Sequence, residues 1–317
     1  KSGSMSVRSG KLHRFAPWLF ISPWLLGLLG LFAYPFVASL IWSFTEYDLL
    51  TAPRYVGTDN YQRVADEILR GEGFGKALWN TFYYAAVSVP LSTILAILLA
   101  VMLNWKVRGQ AVFRTLFYLP SMVPMVASSI LWLWLLDPRD GMVNGVLGMF
   151  YDVPPLWFQG MQEAFSLESP FQFGSKDGLT LMSLWGVGNF MLIYLAAIGD
   201  VDQSLYQAAD LEGAGIWQKF RHITLPMLSP IIFFNIILGI IQSVQAFTQI
   251  YIVSEGTGQP AESSLLISLQ LFLSAFRDLE MGYASAIAWV LFVILALATW
   301  GLFRTSRNWV HYRGVRM

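Results

Sequence analysis

The chain has 317 residues and no cysteine; 56% of residues are hydrophobic and only 13% charged, with 20 Lys and Arg against 20 Asp and Glu. A soluble domain carries about a quarter charged residues, so this chain lacks the polar surface of an ordinary soluble enzyme. It is too apolar for a disordered chain, and its charge is too balanced for a nucleic-acid binder; without cysteine there are no disulfides, thiolate metal sites or cysteine catalysis.

Six windows hold no Asp, Glu, Lys or Arg: 15–45, 77–105, 115–136, 178–199, 222–254 and 281–303. About 20 apolar residues cross a bilayer as helix. Barrel strands alternate over about ten residues, which these runs do not, and backbone groups in lipid must pair within their own segment. The sequence therefore predicts an all-α membrane protein with six transmembrane helices, spanning about 15–44, 77–104, 115–136, 179–199, 227–253 and 281–303. The first window follows basic residues (Lys11, Arg14). It is too long for a signal-peptide core and lacks a small-residue cleavage site, so it reads as an uncleaved helix.

With six spans both termini share one side. The segments of that side carry 13 Lys and Arg, against 7 in the opposite loops. The bias makes residues 1–14 and 305–317 cytoplasmic tails of a membrane domain covering 15–304. Of the 20 acids, 16 fall in the outer loops and the other four in the inner loop 200–226. Trp18, Trp105, Trp300 and Trp309 near the inner boundary, and Trp42 and Trp79 near the outer one, fit aromatic belts. The long outer loop 137–177, with Pro154, Pro155, Trp157 and Phe158, reads as a partly ordered cap.

The inner loop 200–226 needs more than topology to explain it. Ser204 is an expected N-cap, Gln207 to Leu211 are mostly good helix formers, and Gly213 and Gly215 end the segment. A second segment, 216–223, precedes Pro226, which is expected to open the fifth span. Ala208, Ala209 and Ala214 allow a partner to approach closely. The alternative is a turn lying on headgroups, but such a helix favours Lys and Arg, whereas this one carries Asp210 and Glu212.

Gln207-Ala208-Ala209, Glu212-Gly213-Ala214 and Ile223-Thr224-Leu225-Pro226 resemble, at matching spacing, the EAA loop of ABC-importer permeases, with Gln207 and Glu212 where that loop usually has Glu and Asp. Residues 56–61 (VGTDNY), 116–124 (LFYLPSMVP) with 134–138 and 141–144, and 247–258 with Ala275-Phe276 and Gly282-Tyr283-Ala284 are similar to the maltose-type, carbohydrate-uptake branch, in its first-permease subtype. The resemblance runs from about residue 15 to the end. It implies a type I ABC-importer permease fold in a bacterial or archaeal cytoplasmic (inner) membrane. It further implies an oligosaccharide or sugar-derivative substrate, a second permease subunit, an ABC ATPase dimer that binds ATP and Mg, and an extracytoplasmic solute-binding protein. The chain itself is then no enzyme and holds no cofactor or metal. The same resemblance places Gln207, Ala208, Ala209, Asp210, Glu212, Gly213 and Ala214 against a cleft of the ATPase.

Polar residues inside the spans supply the remaining signal. Asn235, Gln242, Gln245 and Gln249 follow at offsets of 7, 3 and 4, one stripe of a helix. Amides in lipid are costly, so the stripe faces a water-filled cavity or the bundle interior; interhelix hydrogen bonds at about 0.6 kcal/mol each are the plainer use. Trp185-Gly186-Val187-Gly188-Asn189 offers a ring for a sugar's apolar face and an amide for its hydroxyls, or else close helix packing. Pro120 and Pro124 are expected to break the third span, ahead of Ser128, Ser129 and Trp132. In the sugar permeases these stretches line the site, and the matching positions are Ser121, Met125, Met182, Trp185, Gly186, Asn189, Gln242, Ser243 and Ala246, beside Gln245 on the stripe.

No charged residue lies within a span, whereas ion-coupled carriers usually place an acid there. Energy is expected to enter through the inner loop instead. An uncharged site favours a neutral solute, although a helix N-terminus holds an anion without Arg. The alternatives are an ion-coupled secondary carrier or channel, and a non-transporting scaffold. The glycine-rich stretch 71–76 is set aside as a phosphate loop. His13, His222 and His311 are expected on the surface, and Glu46, Asp48, Asp66 and Glu67 as solvated acids or docking groups for a binding protein.

Overall fold

The structure is a computed structural model that describes residues 12–105, 109–150, 155–159 and 173–311. Lys11 and Pro154 lie outside the described residues, as do the side chains of His13 and Arg14. Four helical stretches are long and apolar enough to cross a membrane without a sharp bend: Pro17–Trp42, Phe74–Asn104, Ile216–Val253 and Met281–Ser306. Two more spans are bent pairs, by 99° between Gln110–Met122 and Met125–Leu135 and by 47° between Ser175–Trp185 and Gly188–Gly199. The six expected spans are thus all present, two of them as bent pairs. The second and sixth are longer than their charge-free windows, because Lys76 fits in the first turn of one and Arg304 in the last turn of the other.

The contacts divide the chain into two units. Residues 1–63 with 274–289 form the first. Here α1 (Leu12–Gly27) passes through a π turn (Leu28–Ala33) into α2 (Tyr34–Trp42). Proline has no N–H and its ring clashes with the carbonyl four residues back. The widened turn just before Pro35 moves the carbonyls aside, and the Tyr34 N–H reaches five residues back to Leu29. Strands β1 (Thr45–Glu46) and β2 (Arg54–Tyr55) pair antiparallel and lead to α3 (Asp59–Arg70). Asn60 donates to the carbonyls of Ser43 and Thr45, each at 2.9 Å, and the Tyr61 and Ser43 hydroxyls meet at 2.7 Å. At Gly282 a Cβ would stand 2.0 Å from the Thr45 carbonyl oxygen, so only glycine fits. Arg63 pairs with Glu280 at 2.8 Å and lies 3.9 Å over the Tyr283 ring. The motif residues Asn60, Tyr61, Gly282 and Tyr283 thus hold this unit together.

Residues 64–273 with 290–317 form the second unit. Its axis is α4 (Phe74–Asn104), packed on α8 (Ser175–Trp185), α9 (Gly188–Gly199) and α12 (Leu225–Val244). Ala96 and Ala100, four apart and fully buried, let the helices close over a core of Ile97, Met191, Tyr194, Ile198 and Leu228. The glycine-rich stretch 71–76 makes the tight turn between α3 and α4. Gly71 and Gly73 have positive φ, and the Glu67 carboxylate accepts the Phe74 N–H at 2.8 Å. The third span is α5 (Gln110–Tyr118), a 3-10 turn (Leu119–Met122) holding Pro120, and α6 (Met125–Leu135). The cap contains α7 (Met142–Leu147), where Asn144 accepts from the Trp157 indole at 2.7 Å and donates to the Pro155 carbonyl at 2.7 Å.

Two expectations about the inner loop need correction. Asp202, not Ser204, caps α10 (Gln203–Leu211), its carboxylate accepting the Ser204 N–H at 2.9 Å. Aspartate and serine cap equally well, and the earlier residue won. Pro226 does not open the fifth span. The helix starts at α11 (Ile216–Lys219), widens through a π turn (Phe220–Thr224) and continues as α12, with the Leu225 N–H bonded to Phe220. The fifth span is instead interrupted at Gln245–Phe247, before α13 (Thr248–Val253). No proline or glycine is there. A tertiary contact takes up a freed backbone group, with Ser268, on α14 (Ile267–Phe272), donating to the Ala246 carbonyl. The final helix is α15 (Met281–Ser306).

Candidate functional site

A cavity of about 580 Å³ opens within the second unit, lined by residues of the second to fifth spans. That is within the range of about 300–1,000 Å³ common for small-molecule sites. From the third span come Ser121 and Met125, on either side of the break at Val123 and Pro124. From the fourth come Met182, Trp185, Gly186 and Asn189, at the bend between α8 and α9. From the fifth come Gln242, Ser243, Gln245 and Ala246, at the interruption after α12. All ten residues singled out in the sequence therefore line one cavity, which is where the three broken spans meet.

The breaks supply the site's chemistry. Trp185 stands edge-on to Trp132, ring centroids 6.0 Å apart at 81°, and Trp132 is buried behind it. The platform is thereby fixed at low entropic cost. Ser121, Ser183 and Ser243 each donate to a backbone carbonyl of their own helix, at 2.7–2.8 Å, so they offer a solute only lone pairs. The side chains of Asn189, Gln242 and Gln245 have no hydrogen bond among the described residues and keep both amide ends open. Gln249 donates to the Tyr84 hydroxyl at 3.0 Å. The lining has no charged side chain, which suits an uncharged, hydroxyl-rich solute.

The two glycines of the fourth span have different roles. At Gly188 a Cβ would lie 2.6 Å from the Phe117 carbonyl oxygen, so this glycine lets α9 close on α5. At Gly186 the nearest atom is 3.8 Å away, and its place on the wall leaves room for a ligand.

The inner loop is the second candidate site. Gly213, at φ +78, closes α10. Its N–H bonds to Asp210 and that of Ala214 to Ala209, at 3.1 and 2.9 Å, so the last carbonyls are satisfied. Gln207, Ala208, Asp210, Glu212 and Gly213 are exposed, Ala214 is half-buried and Ala209 is buried. The small residues are thus split, Ala208 facing out and Ala209 packing inward. Asp210 pairs with Lys219. The Tyr206 and Thr224 hydroxyls meet at 2.9 Å and tie α10 to the foot of the fifth span.

Residues 88–305 match the family described as binding-protein-dependent transport system inner membrane component. The chain belongs to this family. It is 42% identical over 312 residues to the "Probable ABC transporter permease protein YesP" of Bacillus subtilis (strain 168), covering 98% of this chain and 95% of that one. It is 33% identical over 298 residues to the lactose transport system permease protein LacF of Rhizobium radiobacter, covering 92% and 94%. Its fold is similar to a chain of a bacterial alginate ABC transporter in complex with alginate pentasaccharide-bound periplasmic protein. That likeness has a TM-score of 0.76 at 21% identity and covers 95% and 97% of the two chains. The chain is accordingly a multi-pass inner-membrane permease subunit of an ABC importer with the type I fold, and not an ion-coupled carrier.

The permease's cavity is also lined by residues that sequence reasoning missed. Tyr84, Ser88 and Ser92, with Thr93, form the second span's wall of the cavity. The first three are spaced by four, the signal of one helix face, and that spacing was readable. On α10 the apolar Leu211 is 91% exposed, with Ile216 and Trp217 also exposed nearby.

Proposed function

We propose that this permease forms half of the translocation path of an ATP-driven importer for an oligosaccharide or sugar derivative. It receives solute from an extracytoplasmic binding protein beside a second permease subunit. A pair of partner ATPases holds the ATP and Mg and drives it. The relatives' names and the uncharged, amide-lined cavity behind Trp185 support a saccharide. Ser121, Met125, Met182, Trp185, Gly186, Asn189, Gln242, Ser243, Gln245 and Ala246 are the contacts of that solute. Gln207, Ala208, Ala209, Asp210, Glu212, Gly213 and Ala214, with Leu211 at the tip, are the contacts of the ATPase. The membrane is the cytoplasmic one of a bacterium or archaeon.

One observation carries the reading: α10 is hydrogen-bonded through Tyr206 and Thr224 to the foot of the same span whose other half lines the cavity. Closure of the ATPase pair pulls α10, α10 displaces the foot of the fifth span, and the broken spans repack around the cavity as rigid pieces. The test replaces Gly213. No atom of this chain lies within 4 Å of a Cβ built there, so within the permease Gly213→Val acts on the backbone, whose φ of +78 valine avoids, and at the partner it adds bulk to the docking face. In the assembled transporter, uptake and solute-stimulated ATP hydrolysis are expected to fall by about 5- to 150-fold, following about 1–3 kcal/mol of local strain. The amount of permease in the membrane is expected to stay the same. Undiminished coupling would overturn the reading.

A further inference from the structure

Beyond Gln242 the cavity continues to Asn235, seven residues nearer the foot of α12. The rise of a helix makes that about 10 Å, more than a single sugar ring spans. Asn235 is 3% exposed, and neither its amide oxygen nor its amide nitrogen has a hydrogen-bond partner. A buried polar group left unpaired costs about 1–3 kcal/mol, and this side chain carries two. Packing alone does not account for it, because the adjoining core is built from Met191, Leu228 and Ile97. Thr93 lines the cavity from α4, and the buried Tyr194 hydroxyl reaches toward both Asn235 and Thr93 but makes no hydrogen bond of ordinary geometry with either.

We infer that Asn235 and Thr93 form a second, inner hydroxyl-binding subsite, so that the cavity takes a saccharide of two or more rings lengthwise. One ring lies at Trp185 and the next at Asn235. The carboxamide sets a donor and an acceptor side by side, which matches two adjacent hydroxyls of a sugar ring, and Thr93 adds a hydroxyl that both donates and accepts. No charged residue lines the cavity to hold an ion there instead. The ring count rests on the saccharide reading above; the subsite itself does not.

The absence of cysteine makes the test direct. Asn235→Cys and Thr93→Cys variants, with Leu228→Cys as the fully buried reference, are treated in membranes holding the assembled transporter with a small water-soluble methanethiosulfonate reagent. The two subsite variants are expected to react at least tenfold faster than the reference; equal, slow reaction would overturn the subsite. Uptake by an Asn235→Leu variant is then compared with the parent across radiolabelled mono- and disaccharides, neutral and uronic. The ratio of kcat/KM for two-ring over one-ring sugars is expected to drop at least tenfold, and a uniform drop would overturn the lengthwise assignment. Fast reaction at both positions, with none of the panel carried by the parent, would sink the saccharide reading and the ring count but leave the polar subsite in place. If Asn235→Leu fails to reach the membrane, Thr93→Val is used in the same comparison with the same expectations.

Discussion

The inner loop and the cavity treat their polar groups in opposite ways. Around α10 the backbone ends are paired internally: Asp202 caps the first turn, the last carbonyls are taken by Gly213 and Ala214, and Asp210 meets Lys219. What that region offers outward includes apolar side chains, Leu211, Ile216 and Trp217, beside the exposed Gln207 and Glu212. In the cavity the amides of Asn189, Gln242 and Gln245 stay open and three helices are interrupted. A self-satisfied surface with apolar tips suits a lasting protein partner, whose affinity rests on a few buried side chains. A recess of open amides suits a hydrated solute that must exchange water for protein and then leave.

Substitutions on the two sides separate these roles. Leu211→Asp strikes the handle hardest, because burial of a leucine contributes about 1.5–3 kcal/mol. Recovery of the ATPase with the permease in mild detergent should fall by about 100-fold, with solute contacts untouched; full recovery would break the contrast. Trp185→Ala strikes only the cavity. Loss of a stacking platform of about 1.5 kcal/mol should raise KM for uptake roughly tenfold, with ATPase recovery unchanged. Tyr206→Phe cuts the link between the regions. One hydrogen bond of about 1 kcal/mol predicts a loss of roughly fivefold in uptake per ATP hydrolysed, while assembly and KM hold. The smallest effect is at Asp137, in neither region. The backbone N–H groups of Asp140 and then Arg139 hold its carboxyl below the usual carboxylate range. The turn is therefore fully stabilised above the ordinary carboxyl pKa and loosens as pH falls through the lowered one. Amide exchange at Asp140 should accelerate over that acidic interval, and Asp137→Asn should flatten the profile.

The legibility of these regions followed the kind of force at work. The spans were readable because charge is excluded from lipid along each whole segment, and the break in the third span because Pro120 and Pro124 impose it locally. The interruption at Gln245–Phe247 was not readable, since Ser268, far along the chain, completes it. In the fourth span the two glycines diverge, Gly188 serving packing and Gly186 lying on the cavity wall. Tyr84, Ser88 and Ser92 carried a signal that went unused, and the choice between Asp202 and Ser204 as cap had no local basis. Asn235 was visible as one of a stripe. That it lies buried and unpaired depends on what α4 and α9 bring to it.

The widened turn at Phe220–Thr224 holds one residue more than an α-helix needs, and each residue advances a helix by about 100°. Deleting a single residue there would close the turn to regular α geometry and slip the residues on one side of it by one position, so that a different side chain would stand where Tyr206 now meets Thr224. The compass bearing of the lever relative to the solute path is therefore written in one inserted peptide unit, and Pro226 keeps that unit from being absorbed.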